Sequence, residues 1–379
     1  MAAGRRAANA QGDQSTGSPS IPDARRKPAR ARPVTMKDVA AATGVSRSTV
    51  SRILNDAPLT VPVSAATRTR VLAAARELEY RPNPLARALR GAPTMLLGAI
   101  VRDITDPFFA GAIETVSVAA RARGYNVVLG HAHGEATKAH ELAALLEAGH
   151  CDAILMMGDM SDQPRLLEDL RDTHIPVVAL WQGSELRSIP AVNVDNQAGV
   201  TATMAHLVEL GHRRIAFIGG RLLGDIQERQ EAYAEAMASI GAEVLTGYIQ
   251  RVDNTAADGE AALAAVMALP VPPTAVVAAT DVLAIGILRG AYRSAISVPA
   301  DLSVVGFDDI AWAATTVPAL TTVRMPTAEM ATAAVNLAIL LAGEPAGEVP
   351  AAEHVQVFRP EIVVRESTAP PAATPGTVR

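Results

Sequence analysis

The chain has 379 residues, 49% of them hydrophobic, which is enough to build several packed lobes and excludes a single mini-domain. Its net charge of −5 is unevenly spread: residues 1–90 hold 16 Lys and Arg against 6 Asp and Glu, and the remainder 18 against 33. A basic front that can displace counterions from phosphates, joined to an acidic body, points to a polyanion held by one end of the molecule. No run of about 18 apolar residues is present, so no membrane partner is expected.

Residues 1–33 are rich in Ala, Pro, Ser and Arg, lack periodicity and lack the apolar core of a secretory signal. They read as a disordered basic arm, and a cytoplasmic location is expected. From Val34 a helical pattern begins. Thr35 with Asp38 fits a capping box, and Met36, Val39 and Ala40 give helical spacing up to Gly44. Ser46 then caps a second helix with Val50, Ile53 and Leu54 on its inner face. A third, over 65–78, places Val71, Leu72, Ala75 and Leu78 on one side. The two short helices joined by Thr43-Gly44-Val45 make a helix-turn-helix candidate within a domain spanning 34–80.

The segment from Val34 to Asn55 resembles the headpiece of the LacI/GalR family of transcription regulators almost position by position. The resemblance implies binding to double-stranded operator DNA, with contacts from Thr35, Ser46, Arg47, Ser48, Thr49, Ser51, Arg52 and Asn55. A recognition helix beginning at Ser46 points its first turn into a major groove. Arg47 or Arg52 can donate two hydrogen bonds to one guanine, although either could instead hold phosphate. Ser46, Thr49 and Ser51 suit phosphate contacts and capping. The connection 56–63 is about three residues longer than the shortest family turn.

Over residues 81–92, Arg81-Pro-Asn-Pro-Leu-Ala-Arg-Ala-Leu89 resembles the family's hinge helix, with Asn83, Ala86 and Arg87 flanking Leu89, the implied minor-groove wedge. A plain linker helix is the alternative. So short a helix is marginal alone.

After Pro93 short apolar runs alternate with helical segments. Runs at 96–101, 127–129, 153–157 and 177–180, then 215–218, 275–278 and 303–307, read as buried strands. Helices are expected near 108–123, 137–148, 163–172, 197–210, 227–240, 256–269, 282–293 and 327–342. Cys151, beside the third run, reads as a small buried hydrophobe. The predicted fold is therefore an all-α three-helix helix-turn-helix headpiece followed by a two-lobed α/β body over 93–366 with parallel sheets. The Pro-rich residues 367–379 are expected to be a disordered tail.

That body resembles the family's sensor domain, itself similar to periplasmic sugar-binding proteins, so a sugar-like effector in the interlobe cleft and a homodimer are implied. The matching positions are Asp103, Asp106, Phe108 and Phe109 after the first strand, then Trp181, Asp195, Arg229, Thr280, Asp281 and Asp308. Carboxylates accept hydroxyl protons, arginine donates to ring oxygens and aromatic rings cover apolar sugar faces. Asp106 equally fits a plain helix cap, Trp181 a core position, and Asp309 a solvated neighbour of Asp308. Thr280-Asp281 stands where many relatives have Asn-Asp.

No cofactor, metal or catalytic residue is expected. GxGxxG after a strand, a Walker loop and GxSxG are absent, and His131 with His133 lacks a paired acid or Cys ligand. An exported sugar-capture protein would share the sensor fold but not the basic front end.

Overall fold

The computed structural model describes residues 34–54, 63–80, 93–131, 141–142, 144–146, 148, 151–160, 164–183, 189–220, 224–343 and 354–372. The chain divides into two compact units between Asn83 and Pro84.

Among the described residues the first unit has three helices, α1 (Met36–Thr43), α2 (Arg47–Leu54) and α3 (Ala65–Glu77). Val39, Val50, Ile53, Val71 and Ala75 close its core, with Met36, Ala40, Leu54, Leu72 and Leu78 packed around them. The Thr35 N–H and hydroxyl both donate to Asp38 Oδ2, at 2.7 and 2.6 Å, fixing the start of α1. Gly44 ends it at φ 66°, a left-handed turn that favours glycine. Ser46 Oγ accepts the Thr49 N–H at 3.1 Å, and Ser64 Oγ that of Thr67 at 3.2 Å. The expected hinge, with Asn83, Ala86, Arg87 and Leu89, lies outside the described residues, as does Asn55.

The second unit contains two six-stranded sheets. The first has the order β11-β5-β4-β3-β1-β2, all parallel, from β1 (Leu96–Val101), β2 (Asn126–His131), β3 (Ala153–Met157), β4 (Val177–Leu180), β5 (Ala191–Val194) and β11 (Val355–Phe358). The second has the order β12-β10-β9-β8-β6-β7, from β6 (Ile215–Gly219), β7 (Ile249–Arg251), β8 (Ala275–Ala278), β9 (Ser303–Asp308), β10 (Thr321–Arg324) and β12 (Glu361–Val363), with only the β10–β12 pair antiparallel. Among the described residues its helices include α4 (Pro107–Ala122), α5 (Pro164–Asp172), α6 (Asn196–Glu209), α7 (Gly224–Ser239), α8 (Ala256–Met267), α9 (Asp281–Arg293) and α10 (Thr327–Ala342). Buried apolar strands with helices packed on them give the alternation that the sequence predicts, except that β2, expected to be buried, is an edge strand with Val128 and Leu129 exposed.

The chain crosses between lobes three times, at β5 to α6, at β10 to α10 and at β11 to β12. After β10 it returns to the first lobe, where α10 packs on α4, β3 and β4. Strands β5, β7, β10, β11 and β12 were not foreseen. Each is three or four residues long and carries a polar residue, whereas the equally short β4 and β8 are wholly apolar and stand out as runs.

Residues 366–372 correct the expectation of disorder beyond 366. Ser367 is fully buried; its hydroxyl donates to Val304 O at 2.6 Å and accepts the Thr321 N–H at 2.8 Å. Buried His212 bridges Thr274 Oγ1 and Ala369 O at 2.9 Å each. A Pro-rich stretch whose polar groups dock on strand ends need not build its own core.

Candidate functional site

On α2, the helical period places Ser48, Ser51 and Arg52 opposite the buried Val50 and Ile53. Arg47 and Ser48 are exposed in the first turn, while Ser51 and Arg52 are half-buried. Ser46 Oγ lies 2.8 Å from the hydroxyls of both Ser48 and Thr49, so three hydroxyls gather at the helix start, where backbone N–H groups favour a phosphate. Thr35 lies at the start of α1.

The second unit holds an interlobe cleft of about 420 Å³ at the carboxyl ends of both sheets. From the first lobe come Arg102, Asp103, Asp106, Phe108 and Phe109 after β1, Gly158 and Asp159 after β3, and Trp181 after β4. From the second come Gly220 after β6, Asp225, Ile226 and Arg229 on α7, Asp253, Asn254 and Thr255 after β7, Thr280 after β8, Asp308 at the end of β9 and Met325 after β10. Of the ten sequence-predicted effector residues, the cleft thus gathers Asp103, Asp106, Phe108, Phe109, Trp181, Arg229, Thr280 and Asp308.

Arg229 is 3% exposed and directed on every side. Its Nε donates to Asn196 Oδ1 at 2.8 Å and its NH1 to Ala279 O at 2.5 Å, while its plane lies 3.7 Å from the Phe307 ring centre. Its NH2 lies 3.5 Å from Asp225 Oδ2, and the same NH1 lies 3.7 Å from Asp308 Oδ1. Burial pushes the Asp308 carboxyl well above the usual carboxylate range, with Arg229 opposing, and raises Asp225 for the same reason. Asp106 is also raised by burial, opposed by the Phe108 N–H that it accepts at 2.9 Å.

A hydrogen-bonded chain spans the cleft. Thr280 Oγ1 donates to Asn254 Oδ1 at 2.6 Å, and Asn254 Nδ2 donates to Asp106 Oδ2 at 2.9 Å. Asp106 is therefore both the cap of α4 and a link between lobes, and the Thr280 hydroxyl is engaged with Asn254. Trp181 meets the Phe108 ring edge-on at 5.1 Å, and its buried indole N–H has no acceptor among the described residues. Trp181 at φ 57° and Asp308 at φ 120° both hold left-handed backbone, a strain on the order of 1–3 kcal/mol each that accumulates at functional sites.

Two expected residues stand elsewhere. Asp195 caps α6, accepting the Ala198 N–H at 2.8 Å, and lines a separate cavity of about 580 Å³ with Glu228, Glu231 and Glu235. The next residue, Asn196, is the one that reaches Arg229, and its Nδ2 donates to Glu228 at 2.8 Å. Asp281 is fully buried beneath the cleft, accepting the Ile310 N–H at 2.9 Å and the Thr322 hydroxyl at 2.5 Å, and burial holds its carboxyl at about 7. Gly306 leaves room for it: a Cβ there would sit 2.1 Å from Asp281 Oδ1. Asp309 is no solvated neighbour, since Arg324 and Arg365 each pair with it at 2.6 Å.

Sequence reasoning missed Arg102, Asp159, Asp225, Asp253 and Asn254. Only Asp225 left a signal, four residues before Arg229 on the same helix face. His131 lies 3.6 Å from Asp103, and His133 falls outside the described residues. Among the described residues, no group of three His, Cys, Asp or Glu is placed to hold a metal ion, and no helix is long and apolar enough to cross a membrane. Cys151 is buried, its thiol pushed up to about 11 by burial and by Asp152.

A three-helix headpiece and a two-lobed α/β body with a polar cleft define a DNA-binding regulator with a sensing domain. Residues 35–83 match the family described as bacterial regulatory proteins, lacI family, and residues 204–368 match a periplasmic binding protein-like domain. The HTH-type transcriptional repressor CytR of Escherichia coli (strain K12) is 36% identical over 297 residues, covering 78% of this chain and 86% of that protein. The HTH-type transcriptional regulator GalR of Salmonella typhimurium (strain LT2) is 31% identical over 344 residues, covering 90% and 97%. The lac repressor dimer bound to operator and the anti-inducer ONPF matches with a TM-score of 0.78 at 26% identity, over 89% of this chain and 100% of that one. A transcriptional regulator CelR–cellobiose complex matches at 0.64 and 30% identity, over 89% and 100%. The chain belongs to the LacI family: it is a DNA-binding transcription regulator with an effector-binding domain.

Proposed function

We propose that this protein is a repressor, working as a cytoplasmic homodimer on a pseudo-palindromic double-stranded operator, whose DNA affinity is set by a small polyhydroxylated molecule in the interlobe cleft. The observation that carries this reading is the cleft wall itself, where Asp106 from one lobe and Asn254, Arg229 and Asp308 from the other converge. A ligand touching both lobes has different affinity for different lobe arrangements, which is the condition for shifting an equilibrium. Among the described residues the cleft supplies acceptors and a guanidinium for hydroxyl and ring oxygens, and no nucleophile with its base.

On the DNA side, Arg47 and Arg52 would read base edges, Ser46, Ser48, Thr49 and Ser51 would contact phosphate or base, and Thr35 and Asn55 would flank them. Twofold symmetry doubles what one short helix reads. Asn83, Ala86, Arg87 and Leu89 would form the hinge that wedges the minor groove. The repressor sense is supported by the likeness to CytR, a transcriptional repressor.

The test is a thermal-shift screen of sugars and related metabolites on the full chain, repeated with an operator duplex obtained by in vitro selection. A hit should stabilise the parent, change operator affinity and fail to stabilise Arg229→Ala, whose apo form still binds operator. Equal stabilisation of Arg229→Ala would remove the cleft from consideration.

A further inference from the structure

We infer that Asn254 is a latch between the lobes, tying the second lobe to Asp106 of the first and biasing the equilibrium through which the effector acts, an inference that rests on the cleft being the effector site. Asn254 Nδ2 donates to Asp106 Oδ2 at 2.9 Å, and Asn254 Oδ1 accepts the Thr280 hydroxyl at 2.6 Å. Each end of this chain is anchored at a helix start in its own lobe. Asp106 Oδ1 accepts the Phe108 N–H at 2.9 Å and caps α4, while Thr280 Oγ1 accepts the Leu283 N–H at 3.3 Å and caps α9. Asn254 itself immediately precedes Thr255, whose hydroxyl oxygen accepts the Asp258 N–H at 3.1 Å and caps α8. Helices α8 and α9 pack on each other, so the amide stands on a firm pair of helices and the carboxylate on a third.

The polarity of the chain is consistent from end to end. Leu283 N–H donates to the Thr280 oxygen, the Thr280 hydroxyl to the Asn254 oxygen, and the Asn254 amide to the Asp106 carboxylate. The bond that crosses between lobes is therefore the charge-assisted one. Burial opposes the charge on Asp106, as do Asp103 and Asp225, while the Phe108 N–H and the Asn254 amide support it. Asn254 is exposed, so these hydrogen bonds, and not packing, set its position.

The bridge favours the lobe arrangement in which residues 106 and 254 meet. A ligand group that donates to Asp106 Oδ2 encounters the same oxygen, so effector binding and the latch are coupled there, and the effector shifts the lobes by its differential affinity for the bridged and unbridged forms.

The experiment needs no effector, and is therefore judged apart from the cleft assignment, which ligand binding to Arg229→Ala decides. Spin labels at exposed Glu114→Cys on α4 and Ala261→Cys on α8 report the lobe separation, since buried Cys151 resists labelling. Labelled chain is diluted into unlabelled chain so that pairs within one chain dominate. Asn254→Ala should raise the population at longer distance about five- to ten-fold, the effect of losing one charge-assisted hydrogen bond. Asn254→Asp should raise it at least as far, because it sets two carboxylates against each other. Because residue 254 is exposed, neither change disturbs the core. Combining Asp106→Asn with Asn254→Asp should restore the parental distribution. Asparagine caps a helix as well as aspartate does, and the new amide at 106 donates to the new carboxylate at 254, which still accepts the Thr280 hydroxyl. An unchanged distribution in either single variant, or a combined variant as open as Asn254→Asp alone, would overturn the inference.

Discussion

Replacing Gly224 with alanine should hold the two lobes apart. Gly224 opens α7 in the second lobe and packs against Gly183, which follows β4 in the first. An alanine Cβ at 224 would lie 2.7 Å from Gly183 Cα, 2.7 Å from Asp159 Oδ2 and 3.1 Å from Gly183 N. Carbon contacts settle at about 3.5–4.0 Å, so the backbones must separate by about 1 Å. The backbone at 224 is not left-handed, so the clash, and not the dihedrals, opposes the side chain; helix propensity alone would favour alanine by about 1 kcal/mol. Overpacking of this kind costs about 1–3 kcal/mol, a shift of about 5- to 150-fold in the lobe equilibrium, and strains the 2.9 Å Asn254–Asp106 link. Spin labels on Glu114→Cys and Ala261→Cys, exposed positions in the two lobes, would report the separation, since buried Cys151 resists labelling. Gly111→Ala, whose Cβ meets nothing within 4 Å, is the control. An interlobe distance in Gly224→Ala equal to that of the control would refute the reasoning.

Arg47→Ala should relax base preference at one position per half-site at a cost of about 1–3 kcal/mol, checked by binding to operator variants; an unchanged preference moves the reading to Ser48 or Arg52. The Asp281 carboxyl, at about 7 in the folded chain against an ordinary 3.8, holds its proton more tightly when folded, so its stabilising contribution is full at low pH and lost as pH rises through 7. Asp281→Asn keeps an acceptor for Ile310 N–H and a donor for Thr322, and should flatten the fall in urea midpoint with rising pH; Asp308, shifted the same way, leaves a residual slope. Ser367→Ala strands the buried Thr321 N–H and should lower stability by about 1–3 kcal/mol in the same urea assay. No loss there would mean that the tail packs without that hydrogen bond mattering.

The headpiece was legible because its signals are local. The Thr35–Asp38 pairing, the turn at Gly44 and the apolar positions of three short helices all lie within a few residues of the groups they contact. In the sensor body, apolar runs marked the strand ends after β1, β8 and β9, while Asp106, Thr280 and Asp308 were assigned there by the resemblance. Arg229, Trp181 and Asp195 came from the resemblance. Asp195 turned out to cap α6 while its neighbour Asn196 faces Arg229, a one-residue difference that on a helix turns a side chain by about 100°.

By itself the sequence determined the two-part plan, a basic helix-turn-helix front and an acidic α/β body, because charge balance and hydrophobic period are sums over neighbouring residues. Only the tertiary structure decided which acids share one cavity and which are ion-paired away from it. Asp308 faces the cleft while Asp309 is held by Arg324 and Arg365. It also placed Asn254 across from Asp106, 148 residues apart, and seated the C-terminal stretch on β9 and β10. Such contacts depend on the three crossings between lobes, and the free energy that selects them comes from burial and hydrogen bonding between segments distant in the chain, which leave no periodic trace in either segment alone.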